Sequence, residues 1–165
     1  MKNLLLGILM FFILVSQASA QISIPQRLAF LYETQFEYVS DDEQFGVREY
    51  YQSPSEFHGN RKGDCEDFAI HVNLFLTGLR YESEMYIIYF EDSAHAVTVF
   101  KDGEYYSVFS NGVLQITKET DAISAINFHY PDWVKITQFI PCKYGKINFW
   151  QNLLSTYRTI VKRAL

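Results

Sequence analysis

Apolar residues recur along this chain in three rhythms. The first is an unbroken run, residues 4–15, about a dozen residues without a charge, short of the ~20 that a bilayer span needs. The second is helical. Phe68, Ala69, Val72, Phe75, Leu76 and Leu79 fall one, three and four apart and mark one face of a helix. Asp64 stands at its N-cap, and Asp67, three residues on, fits a capping box with a shorter acid. Pro25, Leu28, Phe30, Leu31, Gln35 and Tyr38 give a looser helical spacing, which Ser40-Asp41-Asp42 is expected to close. Asp121 to Phe128 reads as a short helix. Phe149, Trp150, Leu153, Leu154, Tyr157, Ile160 and Val161 predict a last amphipathic helix, with Lys162 and Arg163 suiting its C-terminal dipole. The third rhythm belongs to strands. Residues 85–90, 95–100, 105–109 and 133–140 are compact apolar and aromatic runs, and residues 113–116 extend the set. Glu91-Asp92-Ser93, Lys101-Asp102-Gly103-Glu104 and Ser110-Asn111-Gly112 are the turns between them.

Helices first, then an antiparallel meander, is an α+β layout: a helix packed on an antiparallel sheet. No internal repeat or low-complexity linker divides it. Lys2 ahead of the first apolar run, and Ala18-Ser19-Ala20 behind it, make residues 1–20 a signal peptide, with an uncleaved anchor as the competing reading. Residues 21–165 are then one exported domain, periplasmic or secreted, with no stable membrane anchor after cleavage. Without Lys2 the charge is 13 basic against 19 acidic residues, a net −6. No basic stripe appears, which argues against nucleic acid as a partner.

An exported chain with two cysteines invites a disulfide between Cys65 and Cys142. The surroundings of Cys65 argue for reactivity instead, and both thiols are expected to be free. Cys65 opens the helix that starts after Asp64, where unpaired N–H groups and the helix dipole favour a thiolate. His95 opens a strand thirty positions later. A cysteine at a helix start and a histidine on a strand outline a thiol nucleophile and its base. Asp64, Glu66 and Asp67 crowd the thiol and oppose its ionisation. Capping of the first turn, or a hard cation held by carboxylate oxygens, would absorb that charge.

Gly63-Asp64-Cys65-Glu66-Asp67-Phe68-Ala69 resembles the nucleophile motif of the bacterial transglutaminase-like cysteine proteinases, within the papain-like and transglutaminase-like superfamily. Tyr51-Gln52-Ser53-Pro54-Ser55-Glu56-Phe57 is similar to the family's lead-in, and His95-Ala96-Val97 to its histidine strand. The resemblance runs from about Tyr50 to Asn111. It implies Cys65 as nucleophile, His95 as base, and Ca²⁺ on Asp64 and Glu66. It also implies a protein or peptide substrate, since the family includes periplasmic proteases that clip adhesins from the cell surface. The third catalytic position departs from the pattern: where the family has an Asp, Phe109-Ser110-Asn111 stands here. Ser110 matches the Asp in place, and Asn111 is a second candidate to orient His95. The expected activity is peptide-bond hydrolysis by an exported cysteine peptidase. A non-catalytic peptide-binding protein and an acyl transferase of the same fold stand beside it as alternatives.

Overall fold

The computed structural model describes residues 22–140. The expected last helix and Cys142 lie outside these residues.

Helix α1 (Ile24–Gln35) starts as its sequence demands. Ser23 and Gln26 close a capping box, and Pro25 sits in the first turn. It stops at Gln35, short of Tyr38. Strand β1 (Glu37–Tyr38) pairs in parallel with β2 (Lys62–Gly63). Glu37 N–H donates to the Arg61 carbonyl at 2.8 Å, and Val39 N–H to that of Gly63 at 2.9 Å. The backbone that would have continued the helix is thus taken by a second segment distant in sequence. Ser40 opens a helix rather than closing one: its hydroxyl accepts from Glu43 N–H and caps the short α2 (Asp41–Phe45), whose first turn is acidic. Acids favour the N-terminal end of a helix dipole, so that direction was already encoded. Helix α3 (Pro54–Asn60) repeats the device with a Ser53–Glu56 capping box.

Helix α4 (Cys65–Gly78) and the strands β3 (Ser83–Tyr89), β4 (Ala94–Asp102), β5 (Tyr105–Ser110), β6 (Val113–Glu119) and β7 (Lys135–Phe139) make up the body, with α5 (Ala122–His129) before β7. The five strands form one antiparallel sheet in the order β6-β5-β4-β3-β7. Alternation along β4 sorts its residues between two layers. Phe100 joins Val72, Phe75, Leu76 and Phe109 in the core under α4, while Ala96 packs with Ala69, Ile70 and Met85. Val97 and Val99 face the other way and pack with Ile88, Val108, Ala125 and Ile126 under α5. Fully burying such side chains is worth ~1.5–3 kcal/mol each. Polar bonds also join the main helix to the sheet: the buried Thr98 hydroxyl donates to the Ala69 carbonyl at 2.7 Å, and the Ser83 hydroxyl to Asn73 Oδ1 at 2.8 Å.

His71 lies in this core, wholly buried two turns into α4. The Tyr32 hydroxyl is 2.6 Å from its Nδ1, and Nε2 has no partner. Burial first, then the charges of His58 and Arg61, hold its pKa well below the ordinary value. A base so shifted is neutral in the fold and takes up a proton on unfolding. Its stabilisation is complete above the unfolded pKa near ~6.5 and is lost as pH falls below it. Melting scans from neutral to acid pH should show that loss. The double substitution Tyr32→Phe, His71→Phe removes both polar groups together and should flatten it; an unchanged slope would put the acid sensitivity elsewhere.

Candidate active site

Cys65 is the first residue of α4, and the preceding segment fixes its approach. Gly63 passes so close to the core that an added Cβ would overlap the Asp67 carboxylate and lie 2.7 Å from Gln52 Nε2 and 2.8 Å from the Phe57 ring. Only glycine fits there. Asp67 is 1% exposed and does not cap the helix. It turns inward, accepting from Gln52 N–H at 2.9 Å and from Gln52 Nε2 at 2.6 Å. Gln52 Nε2 also donates to the Lys62 carbonyl, and its Oε1 accepts from Asn60 Nδ2, each at 2.8 Å. Residues 52–57 therefore act as a buried polar and aromatic clasp on the first turn of α4. Burial pushes the Asp67 carboxyl up to about 6 despite the Gln52 hydrogen bonds.

Asp64 also departs from the expected cap, since it makes no side-chain cap bond. Its carboxylate joins those of Asp41 and Glu66, with one oxygen from each lying within 4.8 Å of the others. Burial and the charges of Glu66, Asp41 and Asp67 push the Asp64 carboxyl up to about 8. Asp41, 2% exposed, accepts from Tyr50 N–H through Oδ2, and its other oxygen is buried without a partner. Asp64 Oδ1 is likewise buried and unpartnered. Glu49 adds a fourth carboxyl, close enough to hydrogen-bond Glu66. Converging carboxylates with two buried oxygens that lack donors, Asp41 Oδ1 and Asp64 Oδ1, fit a hard cation of the calcium type. The metal expectation named Asp64 and Glu66. Asp41 was missed, because it arrives from α2 and no spacing links it to Cys65.

The half-buried thiol donates to Glu66 Oε2 at 3.1 Å. Burial pushes its pKa up to about 12; the Ala96 backbone opposes this by hydrogen bonding to the sulfur, while Glu66 and Asp64 add to it. The sulfur thus rests against the residue that follows His95. Partial burial first, then the acids around Cys65, raise the pKa of two nearby phenols, Tyr38 and Tyr51.

His95 stands at the start of β4, half-buried, with its Nε2 2.8 Å from Ser110 Oγ. Burial lowers its pKa, and the Glu66 charge works against that. Of the two candidates for the third position, Ser110 meets the imidazole. Asn111 does not: it takes a left-handed turn conformation, φ 47°, ahead of Gly112 at φ 79°, and its Oδ1 is buried without a partner. Among the described residues, no hydrogen bond joins the Cys65 thiol to the His95 ring. Cys65 is a free thiol. No helix among these residues is long and apolar enough to cross a membrane.

No protein-family profile and no curated protein matches this sequence. Solved structures similar to it include the following two. Legionella pneumophila LapG, in a calcium-bound form, is 19% identical with a TM-score of 0.49, the match covering 82% of this chain and 81% of that one. A candidate cysteine protease from Cytophaga hutchinsonii is 15% identical with a TM-score of 0.42, covering 70% of this chain and 42% of that one. The five-stranded antiparallel sheet with α4 packed on it is the helix-on-sheet arrangement that the sequence predicts.

Proposed function

We propose that this protein is an exported cysteine peptidase that cuts a protein substrate, with a surface protein such as an adhesin as the natural target class. The observation that carries the reading is the position of the Cys65 sulfur, at the N-terminus of α4 and against the Ala96 backbone, one residue from a His95 whose Nε2 is engaged by Ser110. For His95 to take the thiol proton, Nδ1 must be bare, so Nε2 must carry the hydrogen and donate it to Ser110 Oγ. Ser110 then selects the working tautomer, although it brings no charge to steady the imidazolium. Cys65 attacks the scissile carbonyl, and His95 returns the proton to the leaving amine. Backbone N–H groups at the start of α4 are the available oxyanion donors.

The resting site is closed to this chemistry. The thiol is protonated, and its hydrogen bond goes to Glu66 and not to His95. Reaction requires Glu66 to let the sulfur go. Asp41, Asp64 and Glu66 would hold Ca²⁺, whose charge offsets the carboxylate repulsion around the thiol. A second reading, a peptide-binding protein of the same fold, draws on the same raised thiol pKa and on the uncharged Ser110.

The test is a proteome-derived peptide library incubated with the protein and calcium, followed by sequencing of new N-termini. Wild type should generate termini that share a pattern around the cut, and Cys65→Ser should not. Identical termini from both proteins would end the peptidase reading.

A further inference from the structure

His95 has a second neighbour that hydrolysis, as set out above, leaves unused. The Tyr130 ring lies 5.8 Å from the imidazole, centroid to centroid, at an interplanar angle of 49°. That is within the range of aromatic contact, and both rings are half-buried. Tyr130 is itself fixed from three sides. Its backbone N–H donates to the Ile126 carbonyl at 2.8 Å and ends α5. Its hydroxyl donates to Gln115 Oε1 on β6 at 3.3 Å, and its ring lies 6.3 Å from that of Phe90, just past the end of β3. The ring therefore reaches His95 from a loop that is not part of the thiol, acid or Ser110 segments.

We propose that Tyr130 is the positioning residue for His95, supplying through its ring what the uncharged Ser110 does not: a fixed ring plane and a face to support the imidazole when it becomes a cation. A lone hydroxyl makes one neutral hydrogen bond, worth ~1 kcal/mol net where water competes. Such a bond leaves the imidazole free to pivot about it. An aromatic ring packed alongside limits that pivot and keeps water from one side of the His95–Ser110 bond, which strengthens the bond. A π face beside a protonated imidazole is also attractive to it. The hydroxyl of Tyr130 points away to Gln115, so the ring and not the phenol group is the agent. The charged group that acts on His95 is Glu66, and it comes from the α4 side, not from Tyr130.

This inference rests on the peptidase reading for its kinetics but not for its structural readout. Two variants separate the ring from the hydroxyl: Tyr130→Phe keeps the ring, Tyr130→Leu replaces it by a smaller apolar side chain, and the site is only half-buried, which limits the risk to folding. Imidazole ¹⁵N spectra above neutral pH report the His95 tautomer directly, with or without activity. Wild type and Tyr130→Phe should hold one tautomer, and Tyr130→Leu should show a mixture. In hydrolysis, Tyr130→Leu should lower kcat by about tenfold at unchanged KM, while Tyr130→Phe stays within about twofold of wild type. A single tautomer and a wild-type kcat in Tyr130→Leu would overturn the assignment, as would a Tyr130→Phe protein as impaired as Tyr130→Leu. An inactive wild type whose tautomer still responds to Tyr130→Leu would sink the peptidase reading and leave the positioning role standing.

Discussion

Cys65→Ser should lower peptide hydrolysis by at least about 10³-fold, and His95→Ala by roughly 10²–10⁴-fold. The double variant should be no slower than the worse single one, because nucleophile and base act as a unit. The fold gives a clean background for this measurement. Cys65 is half-buried, and a serine hydroxyl can also donate to Glu66 and accept from the Ala96 backbone as the thiol does. The first turn of α4 is held by Gln52, Asp67 and Gly63, none of which touches the substitution. Melting of Cys65→Ser should therefore stay within about 0.5–1 kcal/mol of wild type. A variant that hydrolyses at the wild-type rate would remove Cys65 from the mechanism. One that loses activity only along with its fold would leave the thiol's role to be read from alkylation of the wild-type protein.

Much of this site was legible before any coordinates. The apolar face of α4 and the meander from β3 to β5 follow from periodicity, and periodicity survives folding because it decides which face is buried. The short helix expected from Asp121 to Phe128 also held, since its Asp121 cap is satisfied within four residues. What the sequence misled on shares one cause. Asp64 and Asp67 sit where caps belong, but distant segments meet them: Gln52 holds Asp67 by two hydrogen bonds, and α2 brings Asp41 beside Asp64 and Glu66. Tyr38 looked helical until β2 supplied a strand partner for it. Likewise, Ser110 and Asn111 could not be ranked from sequence. The turn conformation of Asn111 decides between them, and it depends on the β5–β6 hairpin closing at Gly112. Local rules fail here where a distant partner competes for the same group, and in this chain those places crowd around the thiol.

The acid cluster gives the second large effect, and its sign can be worked out. Asp64 holds its proton up to about pH 8 because burial and three neighbouring acids penalise its charge. A cation entering among Asp41, Asp64 and Glu66 must displace that proton. Calcium affinity should therefore rise about tenfold per pH unit as the pH climbs toward 8, and level off above it, since one competing proton gives unit slope. Calorimetric titration of the chelator-treated protein at several pH values measures this directly, and the heat should vary with the buffer's ionisation enthalpy. Asp64→Asn sharpens the test. With no side-chain cap bond at Asp64, the substitution removes the titrating carboxyl without removing a cap. In chelator the variant should melt above wild type, because its neutral amide need not take up a proton on folding as the buried Asp64 carboxyl must; in calcium it should melt below, because it has lost a ligand. Asp41→Asn should follow the same pattern, and Asp42→Asn, on the exposed side of α2, should not. No calcium heat at millimolar concentration, or a wild-type calcium response in Asp64→Asn, would leave the cluster as plain buried carboxylates. The thiol would then have to be freed from Glu66 by substrate alone.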